Sequence, residues 1–285
     1  TVPPSAREPR ERDGVLEEYG CRGMVSFGMV QTRISRMNRV RAAVALLLLA
    51  GCTSVHRNPV PVEAADRAQI PGMPGIRGWG DEPSELFQSD LIQSVRDERA
   101  AYPDGAPPMA ALVLSGGGSN GAFGAGFLCG WSQSGTRPSF KLVTGISAGA
   151  LIAPFAFLGS AYDADLERLF TTTTSRDVFT LRNPLTVLKK DSLARTEPLA
   201  ATMAGLIDAP LLADIAVEHR KGRRLYVGTT NLDAQRLVIW NMGAIAASGT
   251  PGALELFRSV VLASAAVPVA FPPVYIPVEA DGRYY

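Results

Sequence analysis

Histidine is almost missing from this chain: only two occur among 285 residues, His56 and His219. Three cysteines, Cys21, Cys52 and Cys129, are too few and too scattered for a disulfide framework or a zinc site. Neither sign of charge is in excess, with 28 Lys and Arg against 27 Asp and Glu, so the footprint of a nucleic-acid binder is absent. Internal repeats and blocks of like charge are absent too. The apolar stretch Ala42–Ala50 falls well short of the roughly 20 residues that a membrane-spanning helix needs. What remains is a chain long enough to bury a substantial core.

The N-terminal part does not read as a folded domain. Residues 1–36 are rich in Arg, Glu and Pro without a sustained period, and they begin with Thr1. They are expected to be a disordered leader, or untranslated, because Met37 offers a start. Residues 37–51 then read as a signal peptide, with Arg39 and Arg41 as the positive n-region and Ala42–Ala50 as the apolar h-region. The ending "LAGC", Leu49–Cys52, resembles the lipobox of bacterial lipoproteins. That resemblance implies a lipidated Cys52 as mature first residue and, with Thr53 rather than Asp behind it, an outer-membrane location. Several acyl groups on one cysteine anchor a protein firmly, whereas a single chain binds weakly.

Residues 52–108 are expected to hold a tether and one helix. "TSVHRNPVPVEAADRAQIPGMPGIRGWG" is rich in Pro and Gly, the composition of a linker. "DEPSELFQSDLIQSVRDERAAY" spaces Leu86, Phe87, Leu91, Ile92 and Val95 at helical intervals, which predicts an amphipathic helix closed by "PDGAPP". From Ala110 the pattern alternates. "AALVLS" and "FKLVTG" read as buried parallel strands, and "NGAFGAGFLCGWSQSG" and "SAGALIAPFAFLGS" as the helices that follow them. "RLYVGTTNLD", "RLVIWNM" and "PPVYIPV" read as further strands, with "LELFRSVVLASAA" as a helix. The expected fold for 109–285 is therefore α/β, a mostly parallel central sheet flanked by helices.

The stretch "LVLSGGGSNGAFGAG" places a glycine cluster directly behind a strand. Glycine costs conformational entropy on folding, so the cluster needs a reason. Gly116, Gly118 and Gly121 fit a dinucleotide fingerprint, but the acidic residue expected about 20 positions on is absent, because no Asp or Glu lies between Asp104 and Asp163. No Gly-Lys-Ser/Thr follows, so a P-loop is excluded. Tight strand–helix packing is one remaining reading. The other is a set of backbone N–H donors aimed at a developing oxyanion.

Gly145-Ile146-Ser147-Ala148-Gly149 is a G-x-S-x-G between a predicted strand and a predicted helix, the setting of a nucleophile elbow. An α/β-hydrolase completes such an elbow with an acid and then a histidine. His56 precedes the serine, and His219 sits in "VEHRKGRRL", which reads as a solvated turn. A carboxylate is the obvious substitute as general base. An esterase using His219 remains an alternative, as does a non-catalytic lipid-binding lipoprotein.

Taken together, "SGGGSNGAFGAG", "GISAGA" and "ASAAVPVAFPPV" resemble, in that order, the motif blocks of patatin-like phospholipases. The resemblance spans roughly residues 110–285. It implies a serine lipid acyl hydrolase that uses a Ser–Asp dyad and needs no metal, nucleotide or other cofactor. Carried onto this chain, Ser147 is the nucleophile, Gly116, Gly117 and Gly118 form the oxyanion loop, and Gly121, Gly145 and Gly149 are motif glycines. The implied partners are a lipid or phospholipid substrate and, through Cys52, a membrane. Asn120 stands where the family often has Arg or Lys. The family's Asp lies in an Asp-Gly-Gly or Asp-Gly-Ala motif; here only Asp281-Gly282 follows, and "EADGRYY" reads as a hairpin turn. The base is therefore expected beyond Tyr285, which makes 109–285 an incomplete and inactive catalytic domain as it stands. Cys129 is expected to be a buried structural thiol, Asn231 and Asp233 structural, and "LIAPFAFL" helix core with a possible acyl-facing side.

Overall fold

A computed structural model describes residues 57–171, 180–181, 194–195, 197–268 and 270–285. Its centre is a five-stranded sheet. β1 (Arg77–Trp79), β2 (Ala111–Leu114), β3 (Leu142–Gly145), β6 (Arg224–Asn231) and β7 (Arg236–Asn241) lie in the order β1-β7-β6-β3-β2. β2, β3 and β6 are mutually parallel, and β7 is antiparallel to both β6 and β1. The sheet is thus mixed and mostly parallel in its core, as the alternating pattern predicted. Two small pairs lie apart from it: β4 (Thr180–Leu181) with β5 (Ala194–Arg195), and β8 (Glu279–Ala280) with β9 (Arg283–Tyr284).

Helices cover the sheet. α1 (Glu85–Ala101), α2 (Gly121–Gln133) and α3 (Ala148–Leu158) come first, with α4 (Asp163–Thr171) and α5 (Glu197–Leu206) following. α6 (Ala209–Arg220), α7 (Met242–Ala247) and α8 (Ala253–Ala265) complete the set. α3 is apolar all round and almost wholly buried, as a helix in the centre of a core must be. The "LIAPFAFL" run therefore packs as core, with Ile152, Phe155 and Phe157 sealed from solvent.

The tether expectation fails for residues 57–80. Ala64, Ala68, Ile70, Met73 and Ile76 are buried in the main core. Gln69 exchanges backbone hydrogen bonds with Glu279, both 2.9 Å, and β1 closes one edge of the sheet. Pro and Gly here make turns between short anchored pieces, and a three-residue strand is too short to show a period.

α1 forms, and Leu86 and Phe87 pack inward as predicted, Phe87 edge-on to Tyr226, but the rest of the predicted apolar face does not. Leu91, Ile92 and Val95 are exposed, while Ser94 is buried and Asp90 and Asp97 face Arg224. Asp90, Ser94 and Asp97 recur at helical spacing just as the apolar residues do; the buried Arg224 needs the two carboxylates, and the Ser94 hydroxyl donates to the Gly222 carbonyl at 2.6 Å. β2 is an edge strand rather than a doubly buried one, and Val113 stands 74% exposed. "PPVYIPV" is not a strand among the described elements; its prolines lack the N–H that a ladder requires, and only Val278 pairs, with Tyr285.

Candidate active site

β3 ends at Gly145 and α3 starts at Ala148, so the chain must reverse within two residues. Ser147 makes that reversal at φ 56°, ψ −121°. A non-glycine residue held there stores on the order of 1–3 kcal/mol of strain, and such strain gathers at functional sites. Room for the turn comes from two glycines. A Cβ on Gly149 would stand 2.3 Å from the Leu114 carbonyl oxygen, and one on Gly145 would stand 2.5 Å from the Gly149 carbonyl oxygen. Neither position admits a side chain.

The glycine loop lies directly against this elbow. A Cβ on Gly116 would sit 3.0 Å from the Cβ of Ser147. Gly117 is extended at φ 172°, and Gly118 is left-handed at φ 54°. Asn120 closes a single 3-10 turn by donating its N–H to the Gly117 carbonyl at 3.0 Å. Gly121 then opens α2, packed against the ring of Phe170 and against Ala148. The structure thus sets Gly116 against Ser147, Gly121 against the neighbouring Ala148, and Gly145 and Gly149 on either side of the serine in the turn.

One residue here was not singled out from the sequence. Ser264, on α8, accepts a hydrogen bond from the Ser147 N–H at 2.9 Å and donates its own hydroxyl to the Gly228 carbonyl at 2.7 Å. The pairing of β3 with β6 ends at Gly145 and Val227. The Ser264 hydroxyl bridges the two chains immediately beyond that point, where the elbow has left the ladder. Its place within "ASAAVP" was the only signal, and that motif does not say which backbone groups the hydroxyl serves.

Ser147 opens onto a cavity of about 490 Å³, within the size range of small-molecule sites. Trp79, Val238, Trp240, Val267 and Ile276 are among its apolar walls. Asn231 and Asp233 also border it, and both do structural work. The Asn231 side-chain oxygen accepts from the N–H groups of Asp233 and Ala234, closing the β6–β7 hairpin, and Asp233 pairs with Arg57 at 2.8 Å.

His219 does not meet the serine. The parallel register sets Arg224 beside Leu142 and Val227 beside Gly145, so the start of β6 lies at the far end of the strands from the elbow. His219 belongs to that far end, where its carbonyl accepts from Arg224 at 3.0 Å. Its Nδ1 is buried with no hydrogen-bond partner and packs on the backbone of Gly243. Burial, then the neighbouring Arg224 charge, push its pKa down to about 4. The His219 esterase alternative, and its reading as a solvated turn, are both corrected: it is a neutral packing residue.

Asp281 is a turn residue. With Gly282 it occupies left-handed backbone, φ 51° and 74°, in the two-residue β8–β9 hairpin, as Asp-Gly predicts. Arg67 grips its carboxylate with two bonds of 2.9 and 2.7 Å, and this charge and hydrogen bonding lower the Asp281 pKa. Among the described residues, no carboxylate is hydrogen-bonded to the Ser147 hydroxyl. Cys129 is half-buried, its thiol pKa raised by burial and by the nearby Asp163 carboxylate. Cys52 and the signal-peptide residues lie outside the described part of the chain.

Ser147 is thus a strained serine between strand and helix, beside a bare glycine loop and bordering an apolar cavity. The family model of the patatin-like phospholipases matches residues 112–285, well over half of the chain. The chain belongs to the patatin-like phospholipase family. No curated protein matches it.

Proposed function

We propose that this protein cleaves carboxylic esters of lipids through an acyl-enzyme formed on Ser147. The Ser147 hydroxyl oxygen attacks the ester carbonyl carbon, and a carboxylate base takes its proton. Negative charge then develops on the carbonyl oxygen, where the backbone N–H groups of Gly116, Gly117 and Gly118 answer it. One such donor is worth on the order of 10²–10³ in rate, so the glycine loop has a catalytic use. Collapse of the tetrahedral species breaks the bond to the alcohol, which leaves with the proton from the base. Water, deprotonated by the same base, then releases the fatty acid and restores the serine.

The observation that carries this reading is the strained elbow itself. Ser147 is held at φ 56° with its amide tied to Ser264 and the Gly116 backbone at its side. A packing glycine motif alone does not require a serine there at all. The base is a carboxylate other than Asp281, whose oxygens are bound by Arg67. Tethering to the outer membrane through a lipidated Cys52 belongs to the same proposal; metabolic labelling with an alkynyl fatty acid, lost in Cys52→Ser, reads that part separately.

The test is covalent labelling of the full-length protein with a fluorophosphonate, followed by peptide mapping. Ser147 is expected to carry the label, and Ser147→Ala is expected to lose both label and lipid-ester turnover. A folded, full-length protein that takes no label at Ser147 overturns the hydrolase in favour of a lipid-binding role.

A further inference from the structure

The cavity beside Ser147 has a direction. In the sheet register Trp79 on β1 pairs with Val238 on β7, and Val238 pairs with Thr229 on β6. β6 accompanies β3 as far as Gly145 and Val227, so Ser147 and Thr229 each lie two residues past that last pair. The Ser264 hydroxyl clasps the two chains there, through the Ser147 N–H and the Gly228 carbonyl. Ser147 and Trp79 therefore stand at opposite ends of one row, three strands apart, about 14 Å at the ordinary interstrand spacing. Ser147, Thr229, Val238, Trp240 and Trp79 all line the one cavity.

The lining between those ends suits an alkyl chain. Thr229 turns its hydroxyl to the Trp240 ring N–H, which donates to it at 2.8 Å, and Val238 is the next floor residue towards Trp79. Val60, Ala65 and Ile276 add apolar lining from outside the sheet. Of the charged lining residues, Arg57 and Asp233 neutralise each other at 2.8 Å, and Arg77 donates through Nη2 to the Ala68 carbonyl at 2.7 Å. An alkyl chain entering here gives up no hydrogen bond and leaves water. Its path ends at β1, the outermost strand of the sheet. The Trp79 ring is fixed there from two sides: its Nε1–H donates to Asp66 at 2.7 Å, and the Arg236 guanidinium lies 4.2 Å from the ring centre. Arg236 is in turn held by Asp81 at 2.8 Å. The family match begins at residue 112, so this wall comes from the segment in front of it.

We propose that Trp79 is the end wall of the acyl-chain site and sets the length of chain that the enzyme favours. Extended backbone spans its three bonds per residue at about 1.2 Å each, and an extended alkyl chain advances similarly. The row from nucleophile to wall thus holds an acyl group of about twelve carbons. Each methylene up to that length leaves water and strengthens binding about fourfold, whereas methylenes past it stay in water and add nothing. The gauge rests on the hydrolase reading for the placement of the carbonyl at Ser147, but not for the length of the cavity.

Binding is measured calorimetrically on the full-length protein carrying Ser147→Ala, with saturated fatty acids of about six to sixteen carbons, a range chosen to bracket the expected length. Affinity is expected to rise about fourfold per added carbon up to about twelve carbons and to level off from there. Trp79→Ala opens the wall and is expected to move the break to about fourteen carbons or more. Val238→Phe sets a ring half-way along the row and is expected to move it down to about eight. A folding defect does not shift the break in opposite directions. An affinity that climbs unbroken through the whole series, a break that neither variant moves, or no binding of any chain overturns the proposal. A full-length protein that shows the break but takes no fluorophosphonate at Ser147 loses the hydrolase and keeps the gauge. One that takes the label and binds fatty acids without a break loses the gauge alone.

Discussion

At its Arg224 end, strand β6 is surrounded by groups that answer one another. Arg224 donates through Nε to both oxygens of Asp90, each at 2.9 Å, and Asp97 lies 3.3 Å from its Nη2. The Tyr226 hydroxyl and the Asn241 amide complete the Asp90 carboxylate at 2.6 and 3.0 Å. Burial and the Asp90 charge raise the Tyr226 pKa, so its phenol stays a donor. At the Gly228 end the groups are held but left incomplete. Ser147 is strained, its amide depends on one borrowed hydroxyl, and Arg77 across the sheet has no counter-ion among the described residues. Apart from the His219 Nδ1, which is sealed against Gly243, the Arg224 end has its polar groups answered and serves stability. The unsaturated end has capacity to spare, and that capacity is where chemistry and binding belong.

The largest effect expected from breaking this contrast comes from Asp90→Ala. It leaves the buried Arg224 charge with the longer Asp97 contact alone and is expected to cost about 3 kcal/mol in urea unfolding. The rate of fluorophosphonate labelling of the folded protein should not change, because the loss falls at the far end of β6. A loss of less than about 1 kcal/mol contradicts the idea that this network is the main brace.

Ser264→Ala should show a smaller stability loss and a clear functional one. It leaves the Ser147 N–H and the Gly228 carbonyl without their shared partner, at about 1–3 kcal/mol. The labelling rate of Ser147 is expected to fall about tenfold as the elbow loses its fixed orientation. Ser264→Thr, which keeps the hydroxyl, should restore most of the rate. A stability loss with an unchanged labelling rate would mean that Ser264 only packs.

The smallest effect is a pH slope. His219 titrates at about 4 in the folded protein against 6.5 for a free histidine. As pH falls from 6.5 towards 4 the unfolded chain takes up the proton and the folded chain does not, so stability drops across that window. Above about 6.5 neither state gains the proton and the contribution is flat. Burial and the Arg224 charge resist protonation, Arg220 resists it weakly, and Asp90 and Asp97 oppose that resistance. Melting temperatures recorded across this range should fall less steeply for His219→Gln than for the unsubstituted protein. Identical slopes would place the acid sensitivity in the carboxylates instead.

Much of the elbow half was legible from residue order, because its signals are local. A glycine on either side of a serine between an apolar strand and an apolar helix describes a turn that only that backbone permits. The Asp-Gly hairpin at Asp281 was equally local. Apart from "PPVYIPV", whose own prolines forbid a ladder, the failures were questions of partnership across long sequence distances. Residues 57–80 looked like a linker because their anchoring contacts, such as Gln69 with Glu279, lie some two hundred residues away. The helix at Glu85–Ala101 was found, but two faces shared its period, and only the buried Arg224 decides that the acidic one turns inward. Nothing in the sequence near Ser264 or Arg77 reveals that one braces the nucleophile's amide and the other faces its cavity.

The outermost position of β1 in the sheet has a consequence for how this architecture can be divided. The matched family segment begins at residue 112, yet β7 finds its second neighbour at Arg77–Trp79, and Arg224 finds its counter-ions on Glu85–Ala101. The boundary drawn by ancestry is therefore not a boundary drawn by mechanics. Excising 112–285 would open a raw sheet edge and strip a sealed guanidinium of its anions in a single cut. The segment in front of the family domain is a structural wall of the protein, and the two pack as one compact unit.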